Sequence, residues 1–167
     1  MKVVKRLLII FFIILACVGC DQSTKLLATK TLANKPTASF FGDTFRLQYT
    51  ENTGSFLGLG GNLPNKQRFL FFTVMVTLIL LGLFAYTLVN KKLDITKIFT
   101  FSIILGGGIS NLYDRIVNEG AVVDFMNMGI GQLRTGIFNV ADVLIMVGVF
   151  VLLIHSIKKE NYEKNDL

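Results

Sequence analysis

Four apolar stretches, each close to the length needed to cross a lipid bilayer, constrain this chain more than any other feature of it. A transmembrane helix needs about 20 predominantly apolar residues. Leu7 to Cys20 continuing toward Ala28, Phe69 to Val89, Ile98 to Tyr113 and Val140 to Ile157 approach or reach that length. With 52% hydrophobic residues in 167 and a mean hydropathy of +0.59, the chain has too little polar surface for an ordinary soluble domain. The pattern predicts a single all-α membrane domain over residues 1–167. Its four transmembrane helices fall at about 7–28, 69–89, 96–113 and 139–157, with external segments at about 29–68 and 114–138.

The formal charge is +6, but the basic residues form no stripe that would suit a nucleic acid. They bracket the apolar runs as Lys2, Lys5 and Arg6, then Lys91, Lys92 and Lys97, then Lys158, Lys159 and Lys164. The positive-inside tendency puts both termini and the 90–97 turn in the cytoplasm and the two external segments on the far side. The stretch from Asp21 to Arg68 also carries Lys25, Lys30, Lys35, Arg46, Lys66 and Arg68, and longer translocated segments weigh less in that rule. Two cysteines, Cys17 and Cys20, make neither a disulfide framework nor a four-ligand zinc site. The single histidine, His155, lies at the cytoplasmic end of the fourth run, so no metal or other cofactor is expected. The first run also has the layout of a secretory signal, and Cys17-Val18-Gly19-Cys20 resembles a lipoprotein cleavage box. The apolar pattern resumes at Leu26, Leu27 and Ala28, which favours a helix continuing through the interface over a cut before Cys20.

In the first external segment Phe45, Leu47 and Tyr49 alternate with Thr44, Arg46, Gln48 and Thr50, the period of a half-buried strand. Glu51-Asn52-Thr53-Gly54 is a turn signal, and Gly58, Gly60 and Gly61 continue a pliable stretch. A small extracytoplasmic sheet between spans one and two, lying on the membrane surface, is predicted.

Topology brings the end of span one, the end of span three and the start of span four to one membrane face. Asp21, Asp114, Asp124 and Asp142 become neighbours by that construction. A charged side chain at the centre of a span costs about 2.5 to 3.5 kcal/mol on insertion scales, so Asp142, a turn inside span four, needs a reason to exist. Two carboxylates in a partly dry site share a proton; one takes a proton from water while the other donates to the peptide carbonyl. Asp124, set among Val122, Val123 and Phe125, and Asp142 are the candidates for such aspartyl protease chemistry. Structural readings stand beside this one. Asp142 is equally a first-turn acid with Asn139 as its cap. Asp114 and Arg115 read as a solvated pair ending a helix, and Asp21 with Lys25 as a helical ion pair worth about 0.2 to 0.5 kcal/mol. Asn52 and Gly54 are either a turn or a substrate contact, and Gly106, Gly107 and Gly108 suit close helix packing.

Together these residues resemble the lipoprotein signal peptidases, the type II signal peptidases of bacteria. The resemblance rests on Asp21-Gln22-Ser23-Thr24-Lys25, Asn52-Thr53-Gly54, the run from Gly106 to Arg115, Val122-Val123-Asp124-Phe125, and Phe138-Asn139-Val140-Ala141-Asp142. It implies a four-helix aspartyl endopeptidase of the bacterial inner membrane with a small external β-cradle. Such an enzyme cleaves prolipoproteins just before a cysteine carrying a diacylglyceryl group, so its partners are lipid-modified prolipoproteins and membrane lipid. Asp124 and Asp142 match the catalytic pair. Asn52, Gly54, Asn111, Arg115 and Asn139 fall on positions that line or brace the pocket, and Asp21 and Lys25 on the first-helix motif; Asp114 is counted among the supporting residues. Ser110 replaces a more usual glycine, and Ser55-Phe56 a more usual Ala-Ala-Phe. These departures bear on substrate preference and on sensitivity to cyclic peptide inhibitors such as globomycin.

Three other functions use the same residues. A transporter would relay protons or bind a cation with buried acids near mid-membrane, and an assembly subunit would dock through the glycine-rich third span. A serine/lysine protease would use Ser23 or Ser110 with Lys25 as its base.

Overall fold

The computed structural model describes residues 2–55 and 59–165, so Phe56 and Gly58 lie outside the described residues. Helix α1 (Val3–Leu32) leads to strands β1 (Ala38–Phe40) and β2 (Phe45–Asn52). A short helix α2 (Asn65–Arg68) runs through a π-helical turn (Phe69–Met75) into α3 (Val76–Val89). Helix α4 (Ile95–Val117), strands β3 (Val122–Ile130) and β4 (Leu133–Arg134), and helix α5 (Val140–Asn165) complete the chain. Val3–Leu32, Asn65–Val89, Ile95–Val117 and Val140–Lys158 are each long and apolar enough to cross a membrane.

All four stretches turn large apolar side chains outward, among them Phe11, Phe12, Leu78, Ile79, Phe99, Phe150 and Leu153. Such exposure is tolerable only where lipid covers it. Helix α4 differs in what it buries. It is packed by α1, α3 and α5, and it buries Thr100, Ser102, Ser110, Asn111 and Asp114 along its length. Polar groups inside the bundle meet other protein rather than hydrocarbon, which is why the least apolar span is the central one.

Three consecutive glycines let α4 take that position, each facing a different neighbour. A Cβ at Gly106 would lie 2.5 Å from the Cβ of Cys17 on α1, one at Gly107 2.6 Å from the carbonyl oxygen of Ala141 on α5, and one at Gly108 2.6 Å from Cδ2 of Leu80 on α3. At the opposite end Arg6, 5% exposed, donates to the carbonyls of Thr87, Leu88 and Asn90 and so satisfies the C-terminus of α3. His155 pairs with Asp94, the N-cap of α4, at 2.9 Å.

The sheet is antiparallel in the order β1-β2-β3-β4. The strand expected around Phe45 forms, but β2 is half-buried along nearly its whole length instead of alternating. It is paired with β1 on one edge and β3 on the other, and α1 packs against it. The sheet also extends beyond the first external segment, because β3 and β4 come from between α4 and α5. At the β1–β2 turn, hydrogen bonds from Arg46 and Ser39 hold the Asp43 carboxyl well below the usual carboxylate range. Arg134 donates to the Asp43 carbonyl at 2.7 Å and ties the two hairpins together. Between Leu47 and Thr50 the β2–β3 pairing skips a residue, a bulge that lies beside Asp124.

The glycine packing gives a paired expectation. Gly107→Ala forces a methyl against backbone and costs about 1–3 kcal/mol. Gly82→Ala, with nothing within 4 Å of the new Cβ, is neutral or stabilising by up to about 1 kcal/mol. Thermal unfolding of the two variants in one detergent separates them; equal melting temperatures contradict the packing account.

Candidate active site

Asp124 and Asp142 line one cavity of about 840 Å³. They reach it from different kinds of structure. Asp124 is on β3, 2% exposed. Asp142 is the third residue of α5, and both structural readings of it hold at once. The Asn139 side-chain oxygen accepts from the Asp142 N–H at 2.9 Å while Asp142 Oδ2 accepts from the Asn139 N–H at 3.1 Å, a reciprocal cap. The other carboxylate oxygen of Asp142 accepts from Asn111 Nδ2 at 2.9 Å. Asp142 is thus cap and cavity wall together.

Asp124 is held by two amides. Asn139 Nδ2 donates to Oδ1 at 2.6 Å and Asn52 Nδ2 to Oδ2 at 2.9 Å. Asn52 pairs with Val122 across the sheet, two residues from Asp124 and therefore on its face, which brings its side chain within reach. Its own oxygen accepts from the Gly54 N–H at 2.9 Å, so Asn52 and Gly54 are a turn and a support for the acid at once. Burial pushes the Asp124 carboxyl up to about 6; the Asn52 and Asn139 donors pull against this, and the charge of Asp142 adds to it.

Behind the two acids lies a buried ion cluster that overturns one reading of the sequence and extends another. Asp21 and Lys25 form the helical ion pair that their spacing implies, but inside the bundle, and Asp114 is not a solvated partner of Arg115. Asp21, Lys25 and Asp114 are 0%, 2% and 2% exposed. Lys25 Nζ sits 2.7 Å from Asp21 Oδ2, 2.9 Å from Asp114 Oδ2 and 2.8 Å from Asn111 Oδ1, which uses all three of its donors. The central α4 makes this burial possible by taking Asp114 inward, and it turns Arg115 elsewhere. Arg115 donates to the Gly54 carbonyl at 2.9 Å and lies over the Phe72 ring at 5.9 Å.

Each cluster carboxylate also grips the backbone immediately before a candidate acid. Asp21 Oδ1 accepts from the Ala141 N–H at 2.8 Å, and Asp114 Oδ2 from the Val123 N–H at 3.1 Å. Ser110, the departure from the expected glycine, donates to Asp21 Oδ2 at 2.7 Å. Gln22 bridges Ser110 and Asp114 at 2.9 and 2.8 Å. The serine/lysine reading fails here, because Lys25 is held as a cation between two carboxylates and Ser23 donates to the Gly19 carbonyl of its own helix.

The rest of the cavity wall was not legible. Phe72 and Val76 come from the π-helical turn and the start of α3, Met128 and Arg134 from the sheet, and Val143 and Met146 from α5. Apart from Arg134, their sequence signal is apolar character shared with lipid-facing positions. The arrangement as a whole presents two acids, fixed by amides, at the polar end of an apolar cleft.

Two outcomes follow. A reaction that needs one proton shared by the pair is expected to slow as pH rises through about 6. Asn52→Ala removes a donor to the ionised form, raises that pKa and moves the alkaline limb of kcat/KM to higher pH; an unmoved limb detaches Asn52 from the titration. Lys25→Ala leaves two carboxylates buried without a cation and costs about 3–5 kcal/mol, read as a lowered melting temperature in detergent.

Residues 13–158 match the family described as signal peptidase (SPase) II. The lipoprotein signal peptidase of Borrelia duttonii (strain Ly) is 35% identical over 150 residues, which cover 87% of each chain. That of Chlorobium phaeobacteroides (strain BS1) is 38% identical over 155 residues, 87% of this chain and 94% of the relative. A solved structure described as a bacterial membrane enzyme superposes with a TM-score of 0.77 at 25% identity, over 90% of this chain and 88% of that one.

Proposed function

The chain belongs to the signal peptidase II family of bacterial multi-pass membrane enzymes, and we propose that it removes signal peptides from prolipoproteins with Asp124 and Asp142 as its acid–base pair. The observation that carries the assignment of the pair is their convergence on one cavity, each held by side-chain amides instead of by a cation. A carboxylate clamped by Lys or Arg is locked in its charged form; one held by amides and buried keeps a proton available near neutral pH.

In this reading the ionised acid takes a proton from water as the water attacks the scissile carbonyl, and the protonated acid donates to the carbonyl oxygen. Collapse breaks the C–N bond, and the proton taken from water goes to the departing amine. The Asp124 carboxyl, pushed up to about 6, lies in the range in which the pair can share one proton. Asn52, Gly54, Asn111, Arg115 and Asn139 form the frame of the pair, and Asp21, Lys25 and Asp114 fix the backbone behind it.

The cleft wall formed by Val76, Val143, Ile145 and Met146 suits a substrate whose signal helix and diacylglyceryl chains stay in the bilayer while the peptide bond meets the acids. With both termini cytoplasmic, as the basic clusters argue, the site opens at the extracytoplasmic face. Cyclic peptides of the globomycin type would compete for the same cleft. A transporter wants its acids near mid-membrane, whereas this pair lies on a strand and in the first turn of a helix.

The test is cleavage of a diacylglyceryl-modified prolipoprotein by the purified protein in nanodiscs. Asp124→Asn and Asp142→Asn are expected to lower kcat by about 10²- to 10⁴-fold or more, and a chelator to leave the wild-type rate unchanged. Full activity in either variant removes that acid from the mechanism.

A further inference from the structure

A second cavity, of about 310 Å³, meets the large one at Asn52, Asp124, Gly136 and Ile137, which wall both. Its other walls are Thr50, Glu51, Thr53, Gly54, Gly61 and Asn62, from β2 and the segment that follows it. No residue of α3, α4 or α5 lines it among those described, whereas the large cavity takes much of its wall from these helices. The two cavities therefore differ in chemistry, one apolar and bounded by membrane helices, the other lined by small and polar residues, and they join at Asp124.

A peptide cut at Asp124 extends from it in both directions. The signal helix and the acyl chains require the apolar wall. The chain after the modified cysteine is bound for water, and the small cavity leads away from Asp124 with no residue of α3, α4 or α5 among its described walls. We propose that this cavity is the subsite for the polypeptide following the modified cysteine, with Thr50 as the residue that sets its depth. The proposal rests on the assignment of Asp124 made above.

Thr50 is suited to that role by register. It is the cross-strand partner of Asp124, and it lies two residues before Asn52, whose side chain reaches Asp124, so by strand alternation it stands on the same face. Gly54, Gly61 and Gly136 contribute no side chains, which leaves room for a peptide backbone. Thr53 and Asn62 supply uncharged hydrogen-bonding groups. A site of this composition binds extended backbone and discriminates by bulk, with Glu51 and Asp124 the charged residues in its wall. Hydrolysis releases its product here without further chemistry. The water oxygen stays on the signal peptide as a new carboxylate, and the cysteine nitrogen gains the proton.

The experiment compares two lipidated substrates that share a signal peptide, one ending at the diacylglyceryl cysteine as an amide and one continuing for several residues. Both are cut by the full chain in nanodiscs, as wild type, Thr50→Phe and Asn62→Phe. In the wild type the extended substrate is expected to have a kcat/KM about tenfold higher, the worth of one or two hydrogen bonds, carried mainly in KM. Either substitution, approaching the cavity from a different wall, is expected to bring that ratio near one. An extension that gains nothing in the wild type overturns the proposal. So does an unchanged ratio in both variants, including the case in which both substrates slow alike, as a purely structural defect would cause. If the wild type cuts neither substrate, the peptidase assignment fails first and the subsite with it.

Discussion

A single buried ammonium group organises the active end of this molecule. Lys25 on α1 reaches into the space beside α4 and is satisfied there by Asp21, Asp114 and the Asn111 oxygen. Burying an ion is expensive, and an ion pair inside a protein is weak evidence for added stability. Its value here lies in geometry. The two carboxylates it neutralises keep spare lone pairs, and these accept the amide hydrogens of Ala141 and Val123, the residues just before Asp142 and Asp124. One cation thus fixes the backbone on which both acids stand, although the first acid belongs to a helix and the second to a strand.

The acids themselves are treated differently from the cluster behind them. Asn52, Asn111 and Asn139 supply donors to Asp124 and Asp142 without adding a charge. Had cations been used, both carboxylates would stay ionised through the physiological range. Amide donors offset only part of the desolvation, so a carboxyl such as that of Asp124 remains displaced upward. Arg115 lines the same cavity, and its attachment to the Gly54 carbonyl and the Phe72 ring keeps it as part of the frame.

Much of this was legible in the sequence because topology leaves few choices. Four apolar runs and short polar intervals force Asp21, Asp114, Asp124 and Asp142 to one face, and the structure brings these four together through named hydrogen bonds. The inward turn of Asp21, Lys25 and Asp114 was not legible. An i, i+4 acid–base pair looks the same on a wet helix as in a buried cluster, and only the packing of α4 between three neighbours decides which it is. The strand carrying Asp124 was hidden for a related reason. Val122, Val123, Asp124 and Phe125 are all buried, so the period-two signal that marks one-sided strands is absent. The π-helical turn at Phe69–Met75 has no compositional mark at all.

The asparagines also govern what can travel through the site. A continuous line of contacts runs from Lys25 to the Asn111 oxygen, from Asn139 to that same oxygen, and from Asn139 to Asp124. Each link is an amide, which donates and accepts but does not ionise near neutral pH. The line therefore transmits position and blocks protonic conduction. Along this line the cluster acts as an insulated mount, passing position but no proton between Lys25 and Asp124.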